Sequence, residues 1–253
     1  MRRLALLLLP AAVALAAPAA ASAAPAAALA SVKVTECTPA LEPEARLATF
    51  EARVRAVPRT DRLAVRFTLQ TRGPGELTWR RIAAPGLDTW LSSDRGVGRY
   101  GYLKTVRNLA APASYRMIVR FRWLDAEGAV IRSAKHRSPS CRQADLRPDL
   151  RPRGIEAHPA ASPHDRRYVV LVKNTGRTLA PPASVSLRAG DHLLPPGTVP
   201  SVLPGATRRI AFTAPVCASG EELVVSVDAT GLVDEADEED NVLVVPCPPP
   251  AGR

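Results

Sequence analysis

Carboxylates crowd one short segment near the C-terminus: Asp228, Asp234, Glu235, Asp237, Glu238, Glu239 and Asp240. Clustered oxygen ligands suit Ca²⁺, so Asp228, Asp234, Asp237 and Glu238 are candidate calcium ligands. No EF-hand spacing accompanies them, and a solvated hairpin loop with Asn241 fixing the turn is the competing reading. A second constellation is basic. Arg53, Arg55, Arg66, Arg116, Arg120 and Arg122 occupy alternate positions within apolar runs. Such stripes can hold an anionic polymer such as teichoic acid, acidic polysaccharide or nucleic acid. Outward arginines also keep sheet faces soluble, and only 4 of the 34 basic residues are lysine, a balance that a GC-rich genome also produces. A third group, Trp90, Arg95, Arg99, Tyr100 and Tyr102, falls in the glycine-containing stretch 88–102. Loop aromatics and arginines on a rigid scaffold suit contact with a sugar or a protein, although Trp90 and one tyrosine could instead plug the end of a sandwich.

Catalytic chemistry finds no support. Gly96-Val-Gly98-Arg-Tyr-Gly101 fits G-x-G-x-x-G, but strand-like alternation follows it where a dinucleotide site needs a helix, so it reads as a glycine-rich turn. His136, His158, His164 and His192 share no metal spacing, and neither G-x-S-x-G nor H-E-x-x-H is present. The chain is therefore expected to be non-enzymatic, with calcium the one cofactor to consider.

What must position these side chains is a β framework. The chain has 253 residues, 25 of them proline, with 46% hydrophobic residues and a net charge of +10. Proline at that frequency excludes a helical bundle, and the length suits two domains of roughly 100 residues. Met1-Arg-Arg3, the apolar run from Leu4 and the small-x-small site Ala21-Ser-Ala23 read as a signal peptide over 1–23, with cleavage after 30 as the alternative. No later stretch reaches ~18 apolar residues, so no membrane span is expected in the mature chain. Four cysteines in an exported chain read as disulfides. Three pairings are open; closing each bridge within one block selects Cys37–Cys141 and Cys217–Cys247. The second pair flanks two apolar runs, 222–228 and 241–246, that face each other as a hairpin around the acidic loop.

Charge divides the chain near residue 143. Residues 31–142 carry a net +11 and nine of the eleven aromatics, whereas 143–253 carry −3. In Tyr115–Trp123, Tyr115, Met117, Val119, Phe121 and Trp123 alternate with Arg116, Ile118, Arg120 and Arg122, which is a half-buried strand. The same period runs through 50–55 and 62–69, and further short strands are predicted over 32–36, 76–82, 100–107 and 129–135. About seven short strands indicate an antiparallel sandwich over 31–142. Residues 143–152, charged and proline-rich, form a linker and strand lead-in, and a second unit spans 148–248.

Two resemblances refine this. Leu109-Ala-Ala-Pro112-Ala-Ser-Tyr115, followed by Val119 and Gly128, resembles the Leu-Pro-Tyr approach to a strand in fibronectin type III domains. The second unit carries Pro148-Asp-Leu150, Tyr168-Val-Val-Leu-Val-Lys-Asn174-Thr-Gly176, Leu203-Pro-Gly205, Val225-Ser-Val-Asp228 and Val233-Asp-Glu235-Ala-Asp-Glu238-Glu-Asp-Asn241. In that order and spacing these resemble CARDB, the cell adhesion related domain found in bacteria. The resemblance implies an immunoglobulin-like sandwich of exported proteins. One departure is Asp240, where the family usually has asparagine.

The combined expectation is all-β: two tandem immunoglobulin-like antiparallel β-sandwich domains after a signal peptide. The function expected is non-catalytic binding or adhesion at the bacterial cell surface. The expected partner is a cell-surface protein, a polysaccharide or an anionic envelope polymer, with nucleic acid disfavoured. The alternative is a secreted accessory or structural spacer subunit of an envelope or enzyme complex.

Overall fold

The structure, a computed structural model, describes residues 28–248. The expected leader, 1–23, lies outside the described residues. The alternative cleavage after Ala30 would cut at the first residue of a strand and remove Leu29, whose carbonyl accepts a hydrogen bond from Arg55 N at 2.8 Å. Among the described residues the only helical segment is a three-residue 3₁₀ turn, Pro43–Ala45. No helix there is long and apolar enough to cross a membrane.

The first half folds as β1 (Ala30–Thr38), β2 (Leu47–Arg55), β3 (Arg62–Arg72), β4 (Arg80–Ile82), β5 (Trp90–Ser92), β6 (Arg99–Arg107), β7 (Ala113–Leu124), β8 (Val130–Arg137) and β9 (Cys141–Gln143). One sheet has the order β1-β2-β6; the other runs β4-β3-β7-β8, with β5 also pairing β3 and β9 pairing β7. Period-two alternation drives this layering. Leu63, Val65, Phe67 and Leu69 of β3 meet Met117, Val119, Phe121 and Trp123 of β7 and Phe50 and Val54 of β2 in one core. The Trp123 indole is fully buried and donates to the carbonyl of Arg55 at 2.6 Å, so even its polar edge is satisfied. The Tyr115 hydroxyl donates to the carbonyl of Ala110 at 2.9 Å, closing the bend that leads into β7.

Two sequence expectations need correction. The strand predicted over 76–82 shrinks to Arg80–Ile82, because the Glu76 carboxylate turns back to accept Gly73 N at 2.8 Å and holds a turn there. The stretch 88–102, read as a glycine-containing loop, contains β5, and the strand predicted over 100–107 begins at Arg99. Trp90–Ser92 completes an open edge of β3, and Arg99–Tyr102 pairs with β2, so backbone groups that a loop would leave to water are bonded in ladders. Gly96, at φ 70°, supplies the left-handed turn between them.

The second half folds as β10 (Leu150–Pro159), β11 (Asp165–Asn174), β12 (Ala183–Ala189), β13 (His192–Leu193), β14 (Gly197–Val199), β15 (Thr207–Pro215), β16 (Glu222–Val227) and β17 (Val242–Pro246). Its sheets run β10-β11-β15 and β13-β12-β16-β17, with β14 also on β12. Tyr168, Val170, Val172, Val185, Leu187, Val225 and Val227 fill a separate core.

Both expected disulfides are present, with Cα–Cα distances of 5.4 Å for Cys37–Cys141 and 6.0 Å for Cys217–Cys247. Cys37 lies in β1 and Cys141 in β9, so the first bridge ties the two sheets of one sandwich. β16 and β17 pair from Glu222↔Pro246 to Ser226↔Val242, the hairpin geometry that leaves Cys247 just past its end.

Candidate functional site

Alternation in β7 sends Arg116, Ile118, Arg120 and Arg122 to the side of the sheet away from the core. Register then decides their neighbours. Trp90 of β5 stands opposite Arg66 of β3, Arg66 opposite Arg120 of β7, and Arg120 opposite Lys135 of β8. Three cations therefore lie in one row across three strands, and neighbouring strands are about 4.8 Å apart. Like charges directly opposite each other cost stability, on the order of 0.2–1 kcal/mol per pair.

Indole rings organise the arginines. The guanidinium carbons of Arg122 and Arg66 lie 4.1 and 5.0 Å from the Trp90 ring centre. Those of Arg116 and Arg72 lie 4.1 and 4.9 Å from the Trp79 ring centre. Arg116 Nε also donates to Gln70 Oε1 at 2.8 Å. Burial, with Arg137 and Arg72 beside it, lowers the Arg116 pKa from the usual guanidinium range. Arg66 Nε is buried without a hydrogen-bond partner.

Among the described residues, Arg66, Arg120, Arg122 and Lys135 form no ion pair. The carboxylate at the margin is Asp88. It accepts from Thr68 Oγ1 at 2.5 Å and from Arg81 at 2.7 Å. Burial opposes its ionisation, but these bonds and the charges of Arg81 and Arg66 outweigh it and lower its pKa. Three shallow depressions of about 450, 250 and 330 Å³ cover the face. The first two share Arg66, Arg120 and Lys135, and the second and third share Gln70, Ile118 and Lys135, so they form one continuous trough.

The basic residues named from sequence thus divide. Arg66, Arg116, Arg120 and Arg122 share this face, whereas Arg53 and Arg55 stand on β2 in the opposite sheet. There Lys33 and Arg53 both pair with Glu51, at 2.9 and 2.7 Å, and lower its pKa. The aromatic group divides as well. Trp90 belongs to the basic face. Tyr100 and Tyr102 pack toward the core from β6, with the Tyr102 ring 5.5 Å from Phe67. Arg95 sits in the turn, 3.5 Å from Asp61, and Arg99 opens β6 opposite Arg55. Sequence reasoning missed Trp79, Lys135 and Arg137. The last two could have been found by extending the 129–135 alternation to Arg137.

Each of the four carboxylates named as calcium ligands has a partner within the protein. Asp228 accepts Val233 N at 2.8 Å, Asp234 pairs with Arg147 at 2.7 Å, Asp237 accepts Glu239 N at 2.9 Å, and Glu238 accepts Glu235 N at 2.9 Å. Among the described residues no group of three or more His, Cys, Asp or Glu is arranged to hold a metal. The loop instead anchors the start of β10. Glu235 accepts Leu150 N at 2.7 Å and Asn241 Nδ2 at 2.8 Å, while Ala236 N donates to Pro148 O at 2.8 Å. The histidines stand apart: His136 lies edge-on to Phe121, and His158 is exposed beside Glu156.

The CARDB family model matches residues 147–245. Solved structures similar to the chain include the CARDB domain of a Pyrococcus furiosus protein in complex with di-metal ions, at 25% identity and TM-score 0.34, covering 40% of this chain and 86% of that one. Another is a domain from Methanosarcina acetivorans described as belonging to a cell surface protein, at 24% identity and TM-score 0.35, covering 40% and 91%. Red sea bream transglutaminase aligns at 12% identity and TM-score 0.30, covering 87% of this chain and 31% of that one. No curated protein matches. The CARDB match thus covers residues 147–245, the second sandwich, in which the Asn174-Thr-Gly176 turn and the 228–241 acidic loop lie.

Proposed function

We propose that the protein is exported and works without catalysis, as a binding or adhesion protein of the bacterial cell surface whose ligand contacts the first sandwich. The observation that supports this reading is the outer face of β3, β7 and β8, where Arg66, Arg120, Arg122 and Lys135 lie together without a carboxylate partner. A face that repels itself in the free protein is relieved when an anionic or polar partner covers it. In this reading the ligand surface is the sheet face, to which the 88–102 segment contributes Trp90. The disulfide between its two sheets keeps it stiff, which lowers the ordering cost of binding. The CARDB domain holds the first sandwich at the surface, and the N-terminal leader directs export.

Labelled mature protein, from residue 24 onward, is incubated with isolated bacterial envelopes. Retention of the wild type, with loss of retention in Arg120→Glu/Lys135→Glu, supports the reading. Capture of one defined protein in stoichiometric amount, unaffected by that variant, would replace it with a spacer subunit.

A further inference from the structure

We infer that the trough on the β3–β7–β8 face takes a linear acidic polysaccharide, its carboxylate or sulfate groups lying along the Arg66–Arg120–Lys135 row and its flanks. This deepens the surface-binding reading and rests on it. The ligand must be anionic because seven cationic side chains, Arg66, Arg81, Arg116, Arg120, Arg122, Lys135 and Arg137, line the three joined depressions with Asp88 as the one carboxylate. Asp88 pairs with Thr68 and Arg81 and feels the charge of Arg66, so within the central row Arg120 and Lys135 are the cations with no ion pair.

A polymer fits better than a small anion. The depressions are shallow and share walls, so no single enclosed pocket concentrates the charge. Cations repeat across strands at about 4.8 Å and along β7 at about 6.8 Å, from Arg120 to Arg122, as alternate residues of a strand do. A chain with regularly spaced oxyanions can satisfy several at once, and each further contact benefits from the first. Guanidinium groups offer planar N–H forks that match carboxylate and sulfate oxygens. Stacking on indole holds the guanidinium plane while its N–H edges stay free for the ligand.

The same stacking argues against nucleic acid. Single strands are gripped by aromatic faces on which bases stack. Here guanidinium groups already lie over both Trp79 and Trp90. The indoles position arginines and do not present a platform for bases.

The test measures binding of the full mature protein to heparin and polygalacturonate, with single-stranded DNA and neutral dextran for comparison. Binding to both acidic glycans, falling steeply as salt rises, is expected. Arg120→Gln/Lys135→Gln should weaken both at least tenfold at 0.15 M salt and reduce the log–log salt slope by about one per removed cation. Arg53→Gln/Arg55→Gln, on the opposite sheet, should leave binding unchanged. Melting temperature, which should not fall in Arg120→Gln/Lys135→Gln, separates lost contact from lost fold. Salt-independent binding, equal loss in the Arg53/Arg55 variant, or tighter binding to DNA would overturn the assignment. If envelopes still retain the wild type but heparin and polygalacturonate do not compete, the polysaccharide assignment fails while the surface role stands. If envelopes retain nothing, the surface role itself fails.

Discussion

Glu235 is 1% exposed, and both its oxygens accept N–H groups. Burial pushes its carboxyl up to about 7, with Glu238 and Asp228 adding to the rise and the bonds from Asn241 and Leu150 opposing it. The folded protein therefore keeps this proton to higher pH than the unfolded chain does. Its contribution to stability is complete below about 4.5 and is lost as pH rises toward 7, on the order of 2–3 kcal/mol. Denaturant midpoints measured from pH 4 to 8 should fall over that interval, and Glu235→Gln should flatten the fall. Glutamine suits the site because Asn241 Oδ1 is buried without a partner and can accept an amide proton once the asparagine amide turns over. Asp240 shifts in the same direction, chiefly through burial and then the Asp149 charge, against the Arg151 ion pair at 3.2 Å. Asp240→Asn should therefore raise the midpoint at pH 7 and change it little at pH 4. A drop at pH 7 would mean that the Arg151 pair outweighs burial and repulsion.

The turn after β11 shows what an element asks of its residues. Asn174 is fully buried and uses its whole amide: Oδ1 accepts Asp149 N at 3.1 Å and Gly176 N at 2.9 Å, and Nδ2 donates to Thr178 O at 2.8 Å and Val202 O at 2.9 Å. Gly176 lets the segment before β10 pass over it, since a Cβ there would stand 2.5 Å from Arg147 O. Asn174→Ala removes a hydrogen bond from four backbone groups, of which Val202 O keeps the bond from Ala180 N at 3.0 Å, and should cost about 3 kcal/mol, measured by urea unfolding. Gly176→Ala should also destabilise, by displacing 147–149. This turn was readable from Asn-Thr-Gly at the end of an apolar strand, and the long strands were readable because one buried face enforces period two. β5 was not readable. Three residues carry no period, and its pairing depends on the open edge of β3, a property of the partner. The basic face was half readable for a related reason: alternation puts Arg116, Arg120 and Arg122 on one side, but only register puts Arg66 and Lys135 beside Arg120. Alternation likewise cannot distinguish the outer side of one sheet from that of the other, which is why Arg53 and Arg55 were grouped with them. Because Arg120 stands between two cations, Arg120→Gln should raise the urea midpoint slightly. A lowered midpoint would mean that its aliphatic stem packs more favourably than its charge repels.

At the scale of the whole molecule, two hydrophobic clusters share no residue, and each half has its own disulfide. The bridges close loops of sequence separation 104 and 30. Chain entropy then assigns them about 4–5 and 3–4 kcal/mol respectively. All three tryptophans, Trp79, Trp90 and Trp123, lie in the first half, so indole emission follows that core alone, whereas far-ultraviolet circular dichroism follows both. Cys37→Ala/Cys141→Ala should lower the denaturant midpoint seen by tryptophan emission and leave a later dichroism transition in place. Cys217→Ala/Cys247→Ala should lower a dichroism transition while the emission midpoint stays where it is. If either variant moves both signals by the same amount, the halves unfold as one cooperative unit. The hydrogen bonds that tie 147–149 to the acidic loop would not by themselves account for that outcome, because that segment is joined to the second sandwich and not to the first core. Independent transitions also bear on the basic face, whose register of Arg66, Arg120 and Lys135 belongs wholly to the first sandwich. Reducing the Cys217–Cys247 bridge should then leave anion binding intact, and reducing Cys37–Cys141 should abolish it at denaturant concentrations where the second half is still folded.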